Sequence, residues 1–166
     1  PFSVRERLQA HVEKAGLSEQ FLSENARIAA KHGVSADALL TIYYGESKFN
    51  TGRHYPNSRT RTDTGLIGFT QETAENLGTS IEELALMSRE KQLYYVDKYL
   101  SAAEQRAGSK FDSFSDLYMA VWRPNLVSAP DGAVVWREGS ASYNKYKRAF
   151  DPQGDGVVTK GDVAAS

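Results

Sequence analysis

The chain contains no cysteine. That excludes a disulfide scaffold and a thiolate metal site. It leaves the compartment open, because nothing in the fold depends on redox state. Long apolar runs are missing too: no stretch approaches the roughly 18 residues that a membrane span needs. Charge of one sign is scarce. Twenty basic side chains face 21 acidic ones, for a net charge of −1, so no overall field steers the protein toward nucleic acid or a membrane surface. No charged-then-apolar leader opens the sequence, and Pro1 is compatible with removal of an initiator methionine. Internal repeats and low-complexity tracts are absent.

What is present is an ordinary globular composition, 40% apolar and 11% aromatic over 166 residues, enough for one compact domain with a small appendage. The periodicity is helical nearly throughout. Val4, Leu8, Val12 and Ala15 step along residues 3 to 16, and Gly16 follows. Ser18 is placed to cap a second helix that ends at Gly33, and Ser35 a third, SADALLTIYY, that ends near Gly45 or Ser47. Residues 48 to 64, KFNTGRHYPNSRTRTDT, break the pattern and are expected to form a long loop. Loops of this length in compact domains are often functional. Lys48, Arg53, Arg59 and Arg61 make it locally basic, which suits an anionic or polar polymer. Helix resumes near Thr70. Ser80 and Glu83 form a capping box in SIEE. Residues 89 to 107 form the longest helix, with Leu93, Val96, Tyr99, Leu100 and Ala103 at core spacing and Gly108 as its stop. A short apolar helix at 113 to 122 ends before Pro124, and a short hairpin is expected around Asp131-Gly132.

The tail, DPQGDGVVTKGD at 151 to 162, has the spacing of a calcium loop. Asp151, Gln153, Asp155, Thr159 and Asp162 put side-chain oxygens at loop positions 1, 3, 5, 9 and 12. Gly156 stands at position 6, where the chain turns sharply, and Val157 at position 7 offers its backbone carbonyl. The loop resembles an EF-hand. Gln at position 3 and the shorter Asp at position 12 weaken it, and the exiting helix is very short. A single loop points to one structural Ca²⁺ rather than a sensor.

The stretch GESKFN, residues 45 to 50, follows the apolar run LLTIYY and leaves one carboxylate, Glu46, at a helix end. Glu46-Ser47, Phe49-Asn50 and then TGLIGFTQ at 64 to 71 resemble the lysozyme superfamily, in the branch of lytic transglycosylases and goose-type lysozymes. Thr73-Ala74 and Leu77-Gly78 extend the likeness, which covers about residues 20 to 125. A lysozyme-like domain with a C-terminal calcium loop is similar to phage-virion muramidases and to some bacterial lytic transglycosylases.

The resemblance implies an all-α architecture: a lysozyme-like catalytic domain over 1–150 and an EF-hand-like tail over 151–166. It implies cleavage of the β-1,4 bond between MurNAc and GlcNAc in peptidoglycan, with Glu46 as general acid/base. Ser47, Phe49, Gly68 and Gln71 would line the substrate. The family's later Tyr-Asn motif matches Tyr143-Asn144 by residue type, which makes Tyr143 a candidate cleft residue; AVW at 120 to 122 is the other place for that motif. The chemistry agrees with the residues. A glycosidic leaving group needs a carboxylic acid still protonated near neutral pH, and burial against Tyr43, Tyr44 and Phe49 would supply that by disfavouring the charged form. Two courses stay open. A hydrolase needs a second carboxylate, and Asp63, just before the glycine stretch, stands where goose-type lysozymes place a helper acid. A lytic transglycosylase needs Glu46 alone, and the resemblance leans that way. Non-catalytic glycan binding, or a structural place in a virion or secretion machine, is the reading from another class. The expected partners are peptidoglycan strands and possible virion or secretion-machine proteins, without nucleic acid and without a membrane span. The expected site of action is the bacterial periplasm or cell wall, reached by a phage particle or a secretion or lysis system.

Overall fold

The structure is a computed structural model that describes residues 4–55, 62–111 and 113–165. It is mainly helical. The chain divides into two compact units, residues 1–102 and 103–166.

The first unit is built from α1 (Val4–Ala15), α2 (Glu19–Lys31), α3 (Ala36–Ser47), α4 (Gln71–Asn76), α5 (Ile81–Ala85) and the greater part of α6 (Arg89–Ala107). Hydroxyls start four of these helices. Ser18, Ser35, Thr70 and Ser80 have extended backbones, and each accepts from the amide three residues on. Each such cap satisfies a donor that the helix cannot, for about 1 kcal/mol. The expected capping box at Ser80 forms in one direction: Ser80 Oγ accepts from the Glu83 amide, while the Glu83 carboxylate accepts from the Thr79 hydroxyl. The core gathers Phe21, Ile28, Leu39, Ile42, Tyr43, Leu66, Phe69, Ile81, Leu84, Leu93, Val96 and Leu100, all essentially inaccessible to solvent. Burying each large apolar side chain contributes roughly 1.5–3 kcal/mol.

The second unit holds α7 (Phe114–Trp122), a 3₁₀ turn at Pro124–Leu126, β1 (Val134–Arg137), α8 (Ala141–Phe150), β2 (Val157–Thr159) and α9 (Lys160–Ala165). Asp131-Gly132 does form a turn, but the expected local hairpin is replaced by a longer-range pairing. β1 runs antiparallel to β2, with Val134 opposite Thr159, Trp136 opposite Val158 and Arg137 opposite Val157. The physical reason is burial: Val135 and Val158 are sealed from solvent only when these two strands meet. The tail, residues 151–166, lies within the second unit and pairs there through β2. Lys160 reinforces this. Its ammonium is buried and donates to Asp116 Oδ1 on α7 at 2.5 Å and to the Ala129 carbonyl at 2.9 Å. A stack of rings closes one side, with Trp136 lying parallel to Tyr146 at 4.7 Å and Trp122 against both.

Candidate functional site

Glu46 occupies the last turn of α3 and is half-buried. The helix then ends abruptly. Lys48 and Phe49 both take positive φ, 51° and 64°, a rare pair for side chains of this size. Such strain persists only where surroundings enforce it. Here Phe49 is buried, and its carbonyl accepts from Arg89 Nε at 2.8 Å. The same guanidinium donates to the Ala15 carbonyl. Arg89 thus clamps the chain immediately after the candidate acid.

The glycine stretch forms a closed loop. Thr64 and Phe69 exchange both backbone hydrogen bonds, at 2.9 and 2.7 Å, and Leu66 and Ile67 between them point inward. Gly68 has φ +71° and a particular place. A Cβ there would lie 2.9 Å from Asp63 Oδ2 and 3.3 Å from Glu46 Oε2. One oxygen of each carboxylate therefore lies against the same point beside Gly68, where a Cβ would stand. Glycine is needed twice at this position, for its backbone angle and for the room it gives two acids.

Gly65 makes room for something the sequence reading missed. A Cβ at Gly65 would meet Gln92 at 2.8 Å. Gln92 is completely buried. Its Oε1 accepts from the Leu66 amide at 2.7 Å, and its Nε2 donates to the carbonyls of Thr51 and Leu84. One side chain thereby ties the loop after α3, the glycine stretch and α5 together. The signal was available, because Gln92 lies on the same face of α6 as Val96, Tyr99 and Ala103, where a polar residue must be bonded.

The other expected substrate residues divide. Ser47 is buried and donates to the carbonyls of Tyr43 at 2.8 Å and Leu66 at 3.1 Å, so its hydroxyl braces the glycine loop against α3. Phe49 is a core side chain. Gln71 opens α4 at the surface and donates to Glu75. Of the expected walls around Glu46, Tyr43 turns into the core against Phe21, and Tyr44 stacks on His11 at 3.9 Å. Of the basic loop, Lys48 is exposed and Arg53 half-buried; Arg59 and Arg61 lie outside the described residues.

Tyr143 belongs to the second unit, on α8. Ser140 caps that helix by accepting from the Tyr143 amide. The ring is buried, and the hydroxyl donates to Asp151 Oδ2 at 2.5 Å. That bond to a carboxylate pushes the phenol up to about 12, and it is also the main cause holding the Asp151 carboxyl below its usual range.

The tail turns sharply at Gly156. Gly156 takes φ +84° at loop position 6. Asp151 accepts from the Asp155 and Gly156 amides, and Asp155 accepts from the Val157 amide. Thr159 and Asp162 bond reciprocally at the start of α9. Glu138 Oε2 lies beside Gly156, an acid near the loop that the sequence reading did not assign. Oxygen donors of these types are the kind that a hard cation takes. Gln153 and Asp155 face solvent, and among the described residues no three His, Asp or Glu side chains are gathered as a metal centre. No described helix is long and apolar enough to cross a membrane. No protein family, curated protein or solved structure matches this chain.

Proposed function

We propose that this chain is a peptidoglycan-cleaving glycosidase that breaks the β-1,4 bond between MurNAc and GlcNAc, with Glu46 as the proton donor. The observation that supports this reading is the convergence of Glu46 and Asp63 on Gly68. Protonated Glu46 gives its proton to the glycosidic oxygen as the C1–O bond breaks, and positive charge develops on the sugar ring. Asp63, which precedes the glycine loop, would stabilise that charge or take up C1. Water then adds its hydroxide to C1 and returns a proton to Glu46. This pairing favours hydrolysis over the transglycosylase course, in which the muramic 6-hydroxyl attacks C1 and passes its proton to Glu46 without help from a second acid.

The tail is proposed to hold one structural Ca²⁺ through Asp151, Gln153, Asp155, Thr159 and Asp162, with the Val157 carbonyl as a further oxygen. The ion would tie the end of α8 to β2 and α9 and take no part in bond cleavage. The proposed setting is the bacterial cell wall, with glycan strands as the partner and a phage particle or a secretion or lysis system as the carrier.

Purified peptidoglycan digested with the wild-type chain and with Glu46→Gln tests the reading by mass spectrometry of the soluble products. Reducing muropeptides that vanish in Glu46→Gln are expected. Products lighter by one water would move the chemistry to transglycosylation and make Asp63 a bystander. Absence of any Glu46-dependent product from folded protein would overturn the enzyme reading and leave glycan binding in front.

A further inference from the structure

We infer that Gln92 is a positioning residue for the proposed cleavage: by holding the Leu66 amide and the Thr51 carbonyl with one buried side chain, it sets the glycine loop, and with it Gly68, against Glu46. This rests on the reading of Glu46 as the proton donor. It gives a core residue of α6 a part in the rate and not only in the fold.

The argument is one of bonded directions. Gln92 lies on α6 and is completely buried. Its Oε1 accepts from the Leu66 amide at 2.7 Å, and its Nε2 donates to the carbonyls of Thr51 at 3.1 Å and Leu84 at 2.9 Å. Both amide hydrogens are used, so the orientation is fixed. Turned over, the side chain would set its oxygen against two carbonyls and its N–H groups against another N–H. Leu66 is gripped on its other side as well. Its carbonyl accepts from Ser47 Oγ at 3.1 Å, and its side chain is sealed from solvent. Gly65, at φ +90°, lets Gln92 come this close, because a Cβ there would stand 2.8 Å from Oε1. The loop around Leu66 is tied off by the exchange between Thr64 and Phe69 and by the Gly68 amide, which donates to the Gly65 carbonyl at 3.1 Å. A shift of Leu66 is therefore carried to Gly68, beside which one oxygen of Glu46 and one of Asp63 lie. Thr51 belongs to the chain that leaves α3, the helix that carries Glu46. The glycine loop and the end of α3 thus share one anchor. Geometry held this way is sensitive to small movements: a displacement of about 1 Å can cost about 10²-fold in rate.

The experiment measures kcat and KM on soluble peptidoglycan strands for the wild type, Gln92→Met, Gln92→Glu and Ile28→Ala, with far-UV circular dichroism and melting of each. Ile28, fully buried on α2, reports ordinary loss of packing. Gln92→Met keeps the length of the side chain and removes its three hydrogen bonds. Its kcat should fall about 10²-fold with KM little changed, while Ile28→Ala melts lower and keeps both constants. A kcat for folded Gln92→Met no lower than that of Ile28→Ala overturns the inference. Gln92→Glu carries the test where Gln92→Met does not fold. Burial keeps the new carboxyl protonated at low pH, so one oxygen still meets the Leu66 amide and the hydroxyl still donates; once ionised, it turns an oxygen on the Thr51 or Leu84 carbonyl. A new fall of kcat on the alkaline side of its pH profile, with the far-UV signal unchanged, is expected. A profile that coincides with that of the wild type overturns the inference. A wild type that cleaves no glycan removes the enzyme reading and this inference together, whereas a wild type that cleaves beside unaffected Gln92 variants removes the inference alone.

Discussion

The two groups of carboxylates in this chain are assembled in opposite ways. Glu46 and Asp63 come from separate segments, a helix end and a loop, and meet because Gly68 leaves space between them. Asp151, Asp155 and Asp162 come from one run of twelve positions, and their oxygens accept from backbone amides of that same run. The first arrangement depends on long-range contacts, above all Gln92 and Arg89; the second is largely local. The difference matches two kinds of chemistry. Converging acids suit a proton transfer with charge developing beside it. A run of oxygen side chains folded around its own amides is the arrangement on which the calcium proposal rests.

The largest expected effect breaks the first group. Glu46→Gln keeps the shape of the side chain and removes its proton, so peptidoglycan cleavage should fall by about 10²–10⁴-fold with melting unchanged. Asp63→Asn sharpens the comparison. It should cost a similar factor if hydrolysis is the course, and leave the rate nearly intact if Glu46 works alone. Released reducing sugar, measured under initial-rate conditions, separates the two.

The next effect strikes the second unit. Lys160 and Asp116 form a buried ion pair, with 4% and 6% of their side chains exposed. Lys160→Met leaves Asp116 buried without its cation and should lower stability by about 3–5 kcal/mol, read by denaturant unfolding. Lys160 lies two residues before Asp162, so calcium should recover part of the loss. No recovery would show that the loop and the ion pair are independent.

Gly68→Ala should cost less in stability, about 1–3 kcal/mol for a side chain held at positive φ. Its effect on cleavage should exceed that, because the new methyl group drives Asp63 and Glu46 apart. Equal losses in stability and activity would mean that the convergence of the two acids on Gly68 carries no chemistry.

The turn within the second group was legible from sequence because its information is local. Asp151, Asp155 and Gly156 state their spacing within one loop, and the structure gives that loop its turn. The helices were legible for the same reason: Ser18, Ser35 and Ser80 sit where their caps form. The strand pairing was not. Val134–Arg137 and Val157–Thr159 are short, and only tertiary burial of Val135 and Val158 selects that partner over a nearer one. Glu46, Ser47 and Gly68 could be picked out, but not their roles. Ser47 has the polarity of a substrate contact and spends it on two carbonyls, and Tyr143 spends its hydroxyl on Asp151. A side chain's chemistry shows in the sequence; its partner does not.

The smallest expected effect concerns charge in the first unit. Asp97 accepts from His32 Nε2 at 2.7 Å and from Lys31 at 3.1 Å, with Arg27 3.6 Å away. Burial alone would raise its carboxyl, but the hydrogen bonds from His32 and Lys31 outweigh burial and hold it below the usual 3.8. A depressed carboxyl contributes stability that is complete above its unfolded value and is lost as pH falls through the folded one. Asp97→Asn keeps an oxygen for His32 and removes only the charge, so it should cost about 1 kcal/mol at neutral pH. That difference should shrink as pH drops below 3.8, when the wild type also loses the charge. Melting curves of both proteins between neutral and strongly acid pH check this. A gap that stays constant through the acid range would show that the charge of Asp97 is not what the substitution costs, and would overturn the assignment to the ion pairs.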